Sequence, residues 1–203
     1  MTRSTGRILS VWLLFAVVAG CAHAPPIRDD MSFPERQNLL TGLTDWNLSG
    51  RIAVNTGQEA FQGRFTWRQD AQSLDLLIRG PLGAGVLEIS GPKDRLMVRA
   101  RGETLELTDP ETELSGLVGW WVPVESFGSW LLGIPDRRYE AAAASGPGDA
   151  LESLEQRDWR IEYASYQIAQ GVLLPRRIDL AHREIELRVS IDRWNSIGME
   201  RSP

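Results

Sequence analysis

One cysteine and two histidines are all that this 203-residue chain holds of the side chains that most often ligate metal or attack a carbonyl. His23 lies in a proline-containing stretch near the N-terminus and His182 falls in an expected turn, and neither has cysteines or carboxylates at metal-ligand spacing. There is no G-x-S-x-G, no P-loop and no H-E-x-x-H. The glycine-rich segment at 80–85 lacks the lysine and the following helix that phosphate binding needs. Carboxylates such as Glu88 and Glu186 fall on outward positions of a period-two pattern, where solvation explains them better than catalysis. Blocks of like charge, low-complexity stretches and internal repeats are also missing. Nothing in the chain supports an enzyme, a metal site or a cofactor. The formal net charge is −5, which disfavours nucleic acid and anionic lipid as partners.

What is present begins with a leader. Arg3 and Arg7 precede an apolar run from Ile8 to Val18, followed by Val18-Ala19-Gly20-Cys21. A basic start, a short apolar run and small residues before a cleavage point define a secretory signal peptide over residues 1–20. The run is too short to span a bilayer as a stable anchor. The small pair before cysteine resembles a bacterial lipobox, with Val18 where leucine is preferred. That makes Cys21, the only cysteine, the first mature residue and the site of lipid attachment. Ala22 stands where aspartate would signal retention at the inner membrane, which points to the outer membrane, facing the periplasm. Residues 21–32, with Pro25 and Pro26, read as a lipidated N-terminus and tether, and 33–203 as one domain.

The domain opens with an amphipathic helix over Phe33–Leu43, with Pro34 in its first turn. Then the period becomes two. Trp46, Leu48, Gly50, Ile52 and Val54 alternate with Asn47, Ser49, Arg51 and Ala53; Phe61, Gly63, Phe65 and Trp67 alternate with Gln62, Arg64, Thr66 and Arg68. The scheme continues through Leu74–Ile78, Leu96–Val98 and Leu105–Leu107, and resumes at Trp159–Tyr163, Ile178–Leu180 and Ile185–Ile191. One wet and one apolar face per strand is the pattern of antiparallel sheet, and about ten such strands with short turns suggest a barrel or strongly curled sheet.

Two short helices interrupt the strands. Thr108-Asp109-Pro110-Glu111 reads as a capped start with Glu111 as the reciprocal acid, and the helix runs to about Val118. A second follows Pro123, from Val124 to Leu132, and ends at Gly133. Their apolar residues, Trp120, Trp121, Phe127 and Trp130 among them, must cover the mouth or concave face of the sheet. The segment 141–150, with Gly146, Pro147 and Gly148, reads as a mobile loop. Between two strands, Arg79-Gly80-Pro81-Leu82-Gly83-Ala84-Gly85 reads as a tight turn, with a leucine at its tip where polar side chains are usual. Single exposed leucines are also common on ordinary surfaces.

An ordered series now stands out: the lipobox, the tether, Gly50-Arg51-Ile52-Ala53-Val54, Phe65-Thr66-Trp67, the Pro81-Leu82-Gly83 turn, Ser129-Trp130-Leu131-Leu132-Gly133-Ile134-Pro135, Trp159-Arg160-Ile161-Glu162-Tyr163, Leu174-Pro175-Arg176-Arg177-Ile178 and Trp194. The series resembles the LolB family of outer-membrane lipoprotein receptors over nearly the whole mature chain. The resemblance implies a mainly β fold with a few helices. It would be an incomplete antiparallel β-barrel of about ten or eleven strands, covered by a helical lid enclosing an apolar cavity. It implies that lipoproteins arrive on a periplasmic carrier, LolA, that their acyl chains are taken into the cavity, and that they are released into outer-membrane lipids. Pro81, Leu82 and Gly83 would form the membrane-insertion turn.

On this reading Trp46, Phe65, Trp67, Ile78, Trp130, Trp159 and Tyr163 face the acyl-chain cavity, each with ordinary core packing as its alternative. The protein would act as a monomer. Two other classes stay open: a different lipid or glycolipid carrier on the same fold, and a structural lipoprotein with a filled barrel.

Overall fold

A computed structural model of the chain describes residues 31–81, 86–183 and 185–198. The expectations for the signal peptide, Cys21, Leu82 and Gly83 lie outside the described residues.

The first helix, α1 (Phe33–Thr41), starts where Ser32 donates its backbone N–H to Glu35 Oε2 at 2.9 Å. It ends at Gly42, whose N–H reaches the carbonyls of Asn38 and Leu39, so Leu43 lies beyond the helix rather than within it and is buried as part of the following turn. Six strands follow: β1 (Asp45–Asn55), β2 (Ala60–Gln69), β3 (Ser73–Arg79), β4 (Val86–Pro92), β5 (Leu96–Ala100) and β6 (Glu103–Leu107). Two helices, α2 (Pro110–Val118) and α3 (Val124–Leu132), lead to β7 (Ala142–Ser145), β8 (Leu151–Gln156), β9 (Trp159–Ala169), β10 (Val172–His182) and β11 (Ile185–Gly198).

All eleven strands form one antiparallel sheet in the order β6-β5-β4-β3-β2-β1-β11-β10-β9-β8-β7. β1 therefore sits at the centre, held on both sides by β2 and β11. From there the chain steps outward to one edge at β6, crosses to the opposite edge at β7, and steps back to the centre. The sheet is not closed into a barrel. Because the crossover joins opposite edges, α2 and α3 have to span the curl. α3 does so with Val124, Trp130, Leu131 and Leu132 turned inward and buried.

The curl has a local cause at the centre. The β1–β11 register slips between Asn47 and Leu48 and again between Ser49 and Gly50, and such bulges bend and twist a strand. Gly50 is required there, since a Cβ would collide with the carbonyl oxygen of Ser190.

Three expectations are corrected. Residues 141–150 are not a loop throughout: Ala142–Ser145 is an edge strand on β8, followed by a single 3₁₀ turn, Pro147–Asp149. All four residues of β7 are exposed, so no apolar alternation marked it; backbone pairing alone holds it. His182 is not in a turn but ends β10, buried and stacked on Trp159 with centroids 5.2 Å apart. The cap of α2 is Asp109, one residue later than expected, and its reciprocal acid is Glu113, which accepts from the N–H groups of Thr108 and Asp109 at 2.8 Å each. That leaves Glu111 for another role.

Candidate functional site

The concave face is built in rows by the strand register. One row runs Leu48, Trp67, Leu76, Ile89, Val98, Leu105 from β1 to β6. Another runs Phe65 and Ile78 beside the bulged Gly50. Alternation places Trp46 one step along from Leu48, and Trp159, Ile161 and Tyr163 on the matching face of β9. Of the seven residues expected to face an interior, Trp46, Phe65, Trp67, Trp130, Trp159 and Tyr163 are buried, and Ile78 is half-buried against the same core.

They fall into two groups. Trp46 packs on Trp67 and Trp194, with centroids 5.9 and 5.8 Å apart. Trp159 packs on Trp120, Phe127 and Trp130 at 6.0, 5.8 and 6.2 Å, with His182 stacked on its other side. These edge and tilted contacts are favourable ring arrangements. The rings are thus in mutual contact. Two surface clefts are present beside them. One, of about 750 Å³, lies along β7–β10 among charged residues and touches Trp159. The other, of about 270 Å³, lies between α1, α3 and the β1–β3 wing, with Leu40, Leu43, Leu132 and Ile134 against Gln69 and Lys93.

How the helices are fastened is the informative feature. Trp130 donates its indole N–H to Gln156 Oε1 at 2.8 Å, and the same oxygen accepts the N–H of Asp136 at 2.9 Å. Gln156 returns its own amide to the carbonyls of Asp136 and Tyr139 at 2.8 and 3.0 Å. Tyr163 donates to the carbonyl of Trp130 at 3.1 Å, and burial pushes its phenol well above the usual range. Ser126 donates to Asp136 Oδ2 at 2.8 Å. Burial pushes the Asp136 carboxyl up, but hydrogen bonds from Arg138 and Ser126 outweigh it and hold the group below its ordinary value. Glu111, released from the cap, holds Arg157 with two contacts of 2.6 and 2.8 Å, and the guanidinium lies 4.0 Å over the Tyr139 ring.

Every one of these ties joins α2, α3 or the 133–139 turn to β8, to β9 or to Arg157 in the turn between them, or to each other. Among the described residues no side-chain hydrogen bond or ion pair joins α2 or α3 to β1–β6. Toward that wing α3 sets Gly128 against the Gln69 side chain, and Leu132 lines the cleft beside it. Trp46, Trp67 and Trp159 carry buried indole N–H groups with no partner among the described residues, and Thr44 a buried hydroxyl in the same position.

Sequence reasoning did not single out Gln156, Asp136 or Arg157. Gln156 and Asp136 are polar residues inside the fold, visible only once β8 and the 133–139 turn are placed. No helix among the described residues is long and apolar enough to cross a membrane, and no cluster of His, Cys, Asp and Glu among them could hold a metal ion.

The open antiparallel sheet curled over crossing helices is a fold shared with solved structures. A LolA superfamily protein of known structure from Nitrosomonas europaea superposes with a TM-score of 0.52, covering 85% of this chain and 96% of that one at 8% identity, a likeness of fold alone. Sequence narrows the class. The family model described as outer membrane lipoprotein LolB matches residues 44–194. An outer-membrane lipoprotein LolB of Nitrosococcus oceani is 34% identical over 93% of this chain and 96% of its own length, and one of Alkalilimnicola ehrlichii 32% identical over 94% and 97%. The chain belongs to the LolB family.

Proposed function

We propose that the protein is the outer-membrane lipoprotein receptor of its cell. It would be anchored through lipid on Cys21 facing the periplasm, accept the acyl chains of lipoproteins from a LolA-type carrier, and release the lipoproteins into the outer membrane. The observation that carries this reading is the one-sided fastening of the helices. Held by hydrogen bonds to β8, β9 and Arg157 between them, and by no side-chain hydrogen bond or ion pair to β1–β6 among the described residues, α2 and α3 can part from the β1–β3 wing without breaking a polar bond. A parting there would widen the 270 Å³ cleft that Leu132 and Gln69 already line.

Acyl chains entering there gain about 0.8 kcal/mol per buried CH₂ and need no directional partner. The gain offsets the apolar burial lost when the side carrying Trp130, Trp159 and Tyr163 moves away from the wing carrying Trp46, Phe65, Trp67 and Ile78. No chemical bond changes, so neither nucleotide nor catalyst is required.

The test is transfer. A carrier–lipoprotein complex is mixed with the mature chain carrying Cys21→Ala, and lipoprotein is followed from one protein to the other. Movement supports the reading; a folded protein that accepts nothing contradicts it. Pro81, exposed at the end of β3, leads into the insertion turn. Leu82→Glu is expected to leave acceptance intact and to abolish deposition into liposomes.

A further inference from the structure

The outer face of the sheet carries an arrangement that stability alone does not explain. In register, Arg51 of β1 stands opposite Arg64 of β2, and Arg64 stands opposite Arg79 of β3. Like charges directly opposed across strands are destabilising, and this row has two such pairs in succession. All three side chains are exposed. Arg51 has Asp192 at 2.9 Å, while the side chains of Arg64 and Arg79 make no hydrogen bond or ion pair with any described residue. The row stands out in a chain whose net charge is −5.

The same end of the sheet also leaves an aromatic side chain uncovered. Phe61 is 41% exposed, and Val54, its partner in register, is half-buried. The Phe61 ring folds over Gly63, where a Cβ would come within 2.9 Å of it. Phe61 lies three residues beyond Arg64 along β2, about 10 Å nearer the β1–β2 end and on the opposite face, so an approach by that end of the sheet brings both to one surface. An aromatic ring and a row of cations separated by that distance match the step from lipid phosphates to the acyl boundary, into which interfacial apolar groups reach about 5–10 Å.

We infer that this end of the sheet is a bilayer-docking edge, in which Arg64 and Arg79, with Arg51 beside them, bind the phosphates of anionic phospholipids while Phe61 reaches the apolar layer. Guanidinium groups hold phosphate oxygens with paired hydrogen bonds and tolerate partial burial better than ammonium. Phosphates between the arginines remove the mutual repulsion that the free protein carries. The overall negative charge repels an anionic surface from every other side, so the row sets the orientation of approach. An acidic protein would satisfy the arginines but gives no reason for an uncovered phenylalanine next to them. The biological setting rests on the receptor reading above; the lipid contact itself does not.

The experiment uses the mature chain with Cys21→Ala, which keeps every strand and helix described here. Flotation is measured with vesicles of phosphatidylethanolamine, with and without phosphatidylglycerol, at low and high salt. The unaltered surface is expected to bind the phosphatidylglycerol vesicles, less well at high salt. Arg64→Gln/Arg79→Gln is expected to weaken that binding about tenfold or more, and Phe61→Ala to weaken it further. Arg64→Gln is also expected to raise the melting temperature by about 1–3 °C, which shows the variant folded and the repulsion relieved. Equal vesicle binding by the double variant and the parent overturns the inference. So does a double variant that binds vesicles normally but loses acceptance from the carrier, because the row would then serve a protein partner. If no form accepts lipoprotein yet arginine-dependent vesicle binding persists, the receptor reading fails and the docking edge stands.

Discussion

The indole N–H of Trp130 and the side-chain oxygen of Gln156 meet at 2.8 Å with both residues buried, and this single contact ties the middle of α3 to the end of β8. The Gln156 side chain makes four hydrogen bonds, to Trp130, Asp136 and Tyr139. Gln156→Leu leaves buried donors and carbonyls unpaired at about 1–3 kcal/mol for each group that water cannot reach. The expected loss is about 2–4 kcal/mol, read as a lower urea midpoint with an unchanged slope.

The centre of the sheet is the least tolerant point. Gly50 lies against the Ser190 carbonyl at the bulge where β1 meets β11, and Gly50→Ala forces backbone rather than a flexible side chain to move. A loss above about 3 kcal/mol is expected. Gly57→Ala is the comparison: nothing stands within 4 Å of its Cβ position, but φ is +78°, so a loss of about 1 kcal/mol is expected. Thermal unfolding of the two variants checks the order.

Acid should act in two steps. Burial against Trp159, with Arg183 nearby, holds the His182 imidazole below its ordinary 6.5. The unfolded chain therefore binds a proton there before the folded one does, and stability falls as pH drops below about 6.5. Asp136, held below 3.8, adds a second loss as pH falls through the ordinary carboxylate range. His182→Phe keeps a ring on Trp159 and is expected to remove the upper step alone. Urea midpoints from pH 7 to pH 3, compared between the two proteins, test this.

Much of this fold was legible in the strands because each has one wet and one apolar face. Trp46, Trp67 and Trp159 could be placed inward by counting in twos. The pattern went silent where that contrast vanishes. Ala142–Ser145 has no buried face, and Leu151 and Leu154, both buried, are three apart because the pairing slips beside them. His182-Arg183-Glu184 reads as a turn from polarity, yet its first residue is stacked inside. The fastening of α3 was invisible for a different reason. Gln156 and Asp136 act from the interior, and a polar residue shows its partner only when the chain around it is folded. The arginine row was hidden in the same way, since Arg51, Arg64 and Arg79 become neighbours only through register.

The most direct test of the one-sided lid is to fasten its free side. Gly128 of α3 faces the β1–β3 wing, and a Cβ there would lie 2.8 Å from the Gln69 side chain. With Cys21 replaced by alanine, Gln69→Cys/Gly128→Cys supplies the only thiols in the mature chain, and a short bis-methanethiosulfonate reagent oxidises both to a reducible bridge that joins α3 to β2. The account predicts that the oxidised protein is folded but accepts no lipoprotein from its carrier, and that reduction restores acceptance. Equal acceptance before and after reduction would contradict it.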